Sequence, residues 1–135
     1  MEASLGEAVR FLGYDLSTNE VRAGGTLQLT LYWQALEEMQ ISYTAFTHLL
    51  DAEKQIWGQV DSIPDRGEAP TTSWVEGETI IDEYEIVVDP EAPRGEYVIE
   101  IGMYDADTGQ RLRVLSGDQG LEADRLVLGV VQVAP

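Results

Sequence analysis

The chain has 135 residues, no cysteine, 8 Lys+Arg against 25 Asp+Glu, and a formal net charge of −17. That length suits one domain, residues 1–135, able to bury about two-thirds of the surface its unfolded form would expose. The charge argues against nucleic acid as a partner, and the missing thiols exclude disulfides, thiolate catalysis and Cys-ligated zinc.

In chain order, "AVRFLGYDL" (8–16) is an extended segment without clean alternation. After the turn "RAGG", "TLQLTLYWQA" (26–35) puts Leu27, Leu29, Leu31 and Trp33 on one side and Thr26, Gln28, Thr30 and Tyr32 on the other. Period-2 alternation is the mark of a half-buried strand and predicts a buried Trp33. "ALEEMQ" offers one helical turn at most. "ISYTAFTHLLD" (41–51) and "QIWGQVDS" (55–62), joined by "DAEK", are strands expected to be partly covered on both faces.

A Pro/Thr/Ser loop carrying Trp74 leads into "IIDEYEIVV" (80–88), where Ile80, Tyr84, Ile86 and Val88 share a phase. Asp82 lies in that phase and is expected buried or at a rim and hydrogen-bonded, while Glu83 and Glu85 point outward. "PEAPRG" precedes "EYVIEIGMYD" (96–105), with Tyr97, Ile99, Ile101 and Met103 in phase; its Pro-x-Gly-x-Tyr start marks Tyr97 as the residue of a tyrosine corner. "DADTGQ" turns into a short "RLRV", and "RLVLGVVQV" (125–133) closes the series. These elements predict an all-β, antiparallel two-sheet β-sandwich, immunoglobulin-like, with seven to nine strands.

His48 is the lone histidine. It shares a face with Phe46 and Leu50 and is read as a structural residue bonded to a carboxylate, with Asp61 on the next strand as the proposed partner. No serine lies in a nucleophile elbow. Asp105 and Asp107 suggest a calcium loop, but Gln110 and Ser116 stand where such a loop needs Gly and Glu, so a hairpin turn is expected there. Trp57 alternates with Ile56, Gly58 and Val60 and shares its side with Gln59 and Asp61. Trp57, Trp74 and Asp61 are therefore the candidate carbohydrate-binding residues, since exposed indoles stack on sugar rings while polar neighbours bond the hydroxyls. For Trp74 the competing reading is a peg that closes one end of the sandwich. From Gly67 to Pro93 there are eight acidic residues and no basic one, read as a solvated face.

Taken together, "LTLYWQA", "YTAFTHLLDAEKQIWGQVDSIP", "PTTSWVEGETIIDEYEI" and "PRGEYVIEIGMYDADTGQRLRV" resemble the β-sandwich module toward the C-terminus of large bacterial membrane proteins similar to dolichyl-phosphate-mannose-type glycosyltransferases. The resemblance runs from Phe11 to Val133. It implies a non-catalytic accessory domain held outside the cytoplasm beside a membrane-embedded enzyme, and it transfers no functional residue.

The expected function is thus that of an accessory or interaction domain, not an enzyme, without cofactor. Its partners would be a polysaccharide or another domain of the same protein. The alternative is a carbohydrate-binding module built on Trp57, Trp74 and Asp61; a small glycosidase or esterase is the third reading. No stretch approaches 18 apolar residues and "MEASLGEAVRF" has no apolar h-region, so neither membrane insertion nor a signal peptide is expected of this segment.

Overall fold

The computed structural model describes residues 3–117 and 124–134. Among them are ten strands: β1 (Ala3–Leu5), β2 (Val9–Leu16), β3 (Glu20–Arg22), β4 (Thr26–Ala35), β5 (Tyr43–Leu50), β6 (Ile56–Ser62), β7 (Thr79–Val87), β8 (Gly95–Asp105), β9 (Val114–Gly117) and β10 (Leu126–Ala134). A 3-10 turn spans Thr71–Ser73. The first sheet has the order β7-β4-β2-β1-β9 and the second β3-β10-β8-β5-β6. Among the described residues no helix is long and apolar enough to cross a membrane.

The expected two-sheet sandwich is what forms, with ten strands where seven to nine were expected; β1 and β3, each three residues long, have no counterpart among the segments read from the sequence. The pairing is antiparallel with one exception. β3 runs parallel to β10, Val21 opposite Val133, because the chain leaves β2, turns where the Thr18 hydroxyl accepts the Glu20 N–H, and borders the other sheet briefly before returning as β4.

Alternation decides what is buried. Leu27, Leu29, Leu31 and Trp33 of β4, Ile80, Tyr84 and Ile86 of β7, and Tyr97, Ile99, Ile101 and Met103 of β8 all belong to one core between the sheets. Trp33 packs on Phe11 with ring centroids 5.4 Å apart, a tilted pair worth about 0.5–1.5 kcal/mol beyond its area. The segments without clean alternation turn out to be of two kinds. In β2 the register slips between Phe11 and Gly13, and in β10 between Val127 and Val130; each bulge moves the apolar series to the other phase. The slip in β10 is held by Tyr14, whose hydroxyl donates to Leu128 O at 2.6 Å. β5 instead is buried on both faces from Ala45 to Leu50, whereas its neighbour β6, expected to be partly covered on both, is an edge strand with Ile56, Gln59 and Asp61 exposed.

The Tyr97 hydroxyl donates to Pro93 O at 2.6 Å, the bond that defines a tyrosine corner.

Candidate functional site

The outer face of the second sheet should meet water, yet its centre does not. β5 and β8 pair with Phe46 opposite Gly102 and His48 opposite Glu100. Phe46 is 1% exposed, His48 6% and Glu100 4%. Gly102 makes room for the phenyl ring: a Cβ there would lie 2.5 Å from Phe46 Cζ. The bridge between Tyr104 and Arg111 brings the Arg111 guanidinium 4.2 Å above the Phe46 ring, a cation–π contact that shields its face.

Beside this pair runs a chain of charges. The Nδ1–H of His48 donates to Glu100 Oε2 at 2.9 Å, and Arg125 donates to Glu100 Oε1 at 2.7 Å. Arg111 stands 4.0 Å from Glu100 Oε1 and 3.5 Å from Asp124. Burial alone would raise the Glu100 pKa, but the bonds from His48 and Arg125 and the charge of Arg111 outweigh it and bring it down to about 2. Glu100 is therefore an ionised acceptor at neutral pH, which assigns the proton to Nδ1 of His48.

The sequence reading paired His48 with Asp61; the hydrogen-bonded partner is Glu100. Asp61 does approach the other nitrogen, Nε2, at 3.5 Å, too far for a well-formed hydrogen bond. That buried Nε2 has no hydrogen-bond partner among the described residues. Asp61 is held instead by the Tyr104 hydroxyl at 3.0 Å and the Gln59 amide at 3.3 Å. Asp61 and Gln59 are exposed and Tyr104 is half-buried, so this polar rim is the part of the cluster that solvent reaches.

The other candidate residues lie elsewhere. Trp74 is 2% exposed, within the core cluster, with its Nε1–H donating to Ala69 O at 2.9 Å; among the described residues no two tryptophans are exposed together. Trp57 is half-buried and donates to Asp51 Oδ2 at 2.9 Å. It lines a cleft of about 330 Å³ together with Asp51, Gln55, Pro93 and Tyr97. The Trp57 bond is the first cause of a lowered Asp51 pKa.

Asp82 is fully buried and accepts from Trp33 Nε1 (3.1 Å), Tyr84 Oη (2.7 Å) and the Asp65 N–H (2.9 Å). Desolvation raises its pKa despite these donors. Asp105 accepts the Asp107 N–H on its side chain and the Gly109 N–H on its carbonyl, with Gly109 at φ 76°, the geometry of an Asx-type turn. Among the described residues no cluster of three or more His, Asp or Glu could hold a metal ion.

The residues that sequence reasoning missed are Glu100, Arg111 and Arg125. The signal lay in β8, where Glu100 falls in the outward phase between Ile99 and Ile101, but only the β5–β8 register identifies its partner.

No family model matches the chain, and no curated protein does; the comparisons lend nothing to the glycosyltransferase resemblance. Among solved structures, the C-terminal domain of Wzt aligns over 99% of this chain and 78% of its own, with a TM-score of 0.69 and 10% identity. A CARDB domain from Pyrococcus furiosus aligns over 98% and 94%, with a TM-score of 0.49 and 10% identity, and carries no argument here. What the first of these shows is the fold: the chain is similar to a β-domain that forms the C-terminal part of another protein.

Proposed function

We propose that this chain is a non-catalytic accessory domain, part of a larger protein and working outside the cytoplasm, whose contacts are made by the outer face of the second sheet. One observation carries the non-catalytic reading. The buried groups that could serve as general acid or base are tied to fixed neighbours: His48 Nδ1 to Glu100, Glu100 also to Arg125, and Asp82 to three donors. Proton transfer to a substrate needs a group within reach of it, and these reach only their neighbours. Incubating the purified domain with nitrophenyl glycosides and esters is expected to give no turnover above buffer; turnover that His48→Gln abolishes would overturn the reading. The extracytoplasmic location and a glycosyltransferase-like parent rest on the order of the sequence segments alone, and fractionation of cells expressing the natural protein tests the location.

A second reading is carbohydrate binding, favoured by one specific arrangement. Asp61, Gln59 and the half-buried Tyr104 form a pre-ordered hydrogen-bonded set that solvent reaches, and fixed polar groups beside a partly exposed aromatic ring suit sugar hydroxyls. Trp57, half-buried, lines a separate cleft with Asp51 and Tyr97 and offers a second surface for the same reading. Titration with a panel of bacterial polysaccharides, read by tryptophan fluorescence and calorimetry, is expected to show binding that Asp61→Ala or Tyr104→Phe weakens. Binding unaffected by both variants would remove this face from consideration.

A further inference from the structure

β6 and β7 are the outermost strands of their sheets on one side of the sandwich. At one end they touch: the Asp89 N–H donates to Trp57 O at 2.8 Å, and a Cβ at Gly58 would lie 3.1 Å from Val87 O. Further along they part, leaving a groove of about 550 Å³ lined by Val60, Ser62, Arg66, Glu83, Tyr84 and Glu85. The edges on the opposite side are short, three residues in β3 and four in β9, whereas β6 runs seven and β7 nine. A long uncovered edge is a template for another strand.

The backbone direction of β7 is set by its last contacts with β4. Val88 donates to Gly25 O at 2.8 Å and accepts from the Gly24 N–H at 2.9 Å. Alternation along an antiparallel ladder then turns Ile80, Asp82, Tyr84 and Ile86 toward β4, and aims the N–H and C=O groups of Ile81, Glu83, Glu85 and Val87 at the free edge. Among the described residues no strand pairs there. The side chains of the same four residues are exposed, Ile81 at 56% and Val87 at 58%.

We propose that β7 accepts an additional strand, an extended cationic segment of another polypeptide bonded to the free backbone groups of Ile81, Glu83 and Glu85. Charge chooses the occupant. The stretch from Gly67 to Pro93 has eight acidic residues and no basic one, and among the described residues Arg66 is the one cation lining the groove. A second copy would bring its own −17 and set carboxylates against carboxylates, which destabilises cross-strand pairs. A segment that alternates Lys or Arg, placed opposite Glu83 and Glu85 on the exposed face, with apolar residues turned to the groove side of Val60 and Tyr84 satisfies both features. This edge is distinct from the Asp61 face, and the fate of either proposal leaves the other standing.

The test titrates the 15N-labelled protein with a capped Lys-Val-Lys-Val-Lys-Val-Lys peptide, its Glu-Val counterpart, and the Lys-Val peptide N-methylated at alternate residues. The Lys-Val peptide is expected to bind and to slow amide exchange at Ile81, Glu83 and Glu85 about ten-fold or more, with affinity falling about ten-fold in Glu83→Pro, which deletes an N–H that β4 does not use. Should that variant fail to fold, the N-methylated peptide asks the same question of the native protein and is expected not to bind. No binding by the Lys-Val peptide, unchanged exchange at those amides, equal binding of the N-methylated peptide, or preference for the Glu-Val peptide overturns the proposal.

Discussion

His48 and Glu100 face each other across the β5–β8 pair, Nδ1 to Oε2 at 2.9 Å, on the side of the sheet that solvent would ordinarily occupy. Desolvation of Glu100 is outweighed by its bonds to His48 and Arg125, so its pKa drops from 4.5 to about 2. A folded-state pKa below the unfolded one contributes stability that is fully present above pH 4.5 and is lost as the pH falls toward 2. The shift corresponds to on the order of 3 kcal/mol. Urea midpoints measured from pH 5 to pH 2 should fall for the native protein, and Glu100→Gln should show a flatter slope together with a lower midpoint at pH 7.

Asp82 titrates with the opposite sign. Its raised pKa, caused first by burial, makes its ionised form a destabilising element as the pH climbs above 3.8. Its removal is nonetheless harmful, since Trp33 Nε1–H and Tyr84 O–H would be left buried without an acceptor. Asp82→Ala should lose about 2–4 kcal/mol in chemical unfolding at pH 7. A variant as stable as the native protein would show that water takes over both donors.

The tryptophans should separate by stability. Trp74 is enclosed in the core and Trp57 half-buried, so Trp74→Ala is expected to cost about 3–5 kcal/mol and Trp57→Ala about 1–2 kcal/mol. Equilibrium unfolding of the two variants side by side checks the order.

Gly102 should tolerate no side chain while Phe46 keeps its ring. A methyl group would fall 2.5 Å from Cζ and 2.6 Å from Cε2 of Phe46, forcing the ring from beneath Arg111 at a cost of about 1–3 kcal/mol. The double variant Gly102→Ala with Phe46→Leu lacks both clashing atoms and should be less damaged than the sum of the single changes; additive losses would mean that the backbone at Gly102, not the ring, sets the restriction.

Much of the architecture could be read from alternation. β4, β7 and β8 follow it residue by residue, and Asp82 was located in the buried phase because that rule admits no exception within a regular strand. The rule is silent where a bulge changes phase, as at Gly13 and Gly129, and where a strand has three residues, as in β1 and β3. β3 owes its existence to a partner more than a hundred residues away, Val133 opposite Val21, which no local pattern encodes. The same limit applies to the polar cluster. His48 was legible as a histidine tied to a carboxylate, yet choosing between Asp61 and Glu100 required the register of β5 and β8, which two other strands and the loops between them separate in the chain. Trp74 was undecided between peg and platform because loop residues carry no phase; the structure buries it in the core with a bond to Ala69 O.

The place of β10 in the second sheet has a consequence for the order of events during synthesis. Residues 126–134 lie between β3 and β8, not at an edge, so the strand translated last among the described ones is the one on which an early strand and a middle strand both depend. A nascent chain that stops short of it has Tyr97, Ile99 and Ile101 uncovered along one flank and Glu20–Arg22 without any ladder. Closure must therefore wait until the ribosome has released this segment, and because its contacts join distant parts of the polypeptide, assembly should take milliseconds to seconds rather than microseconds.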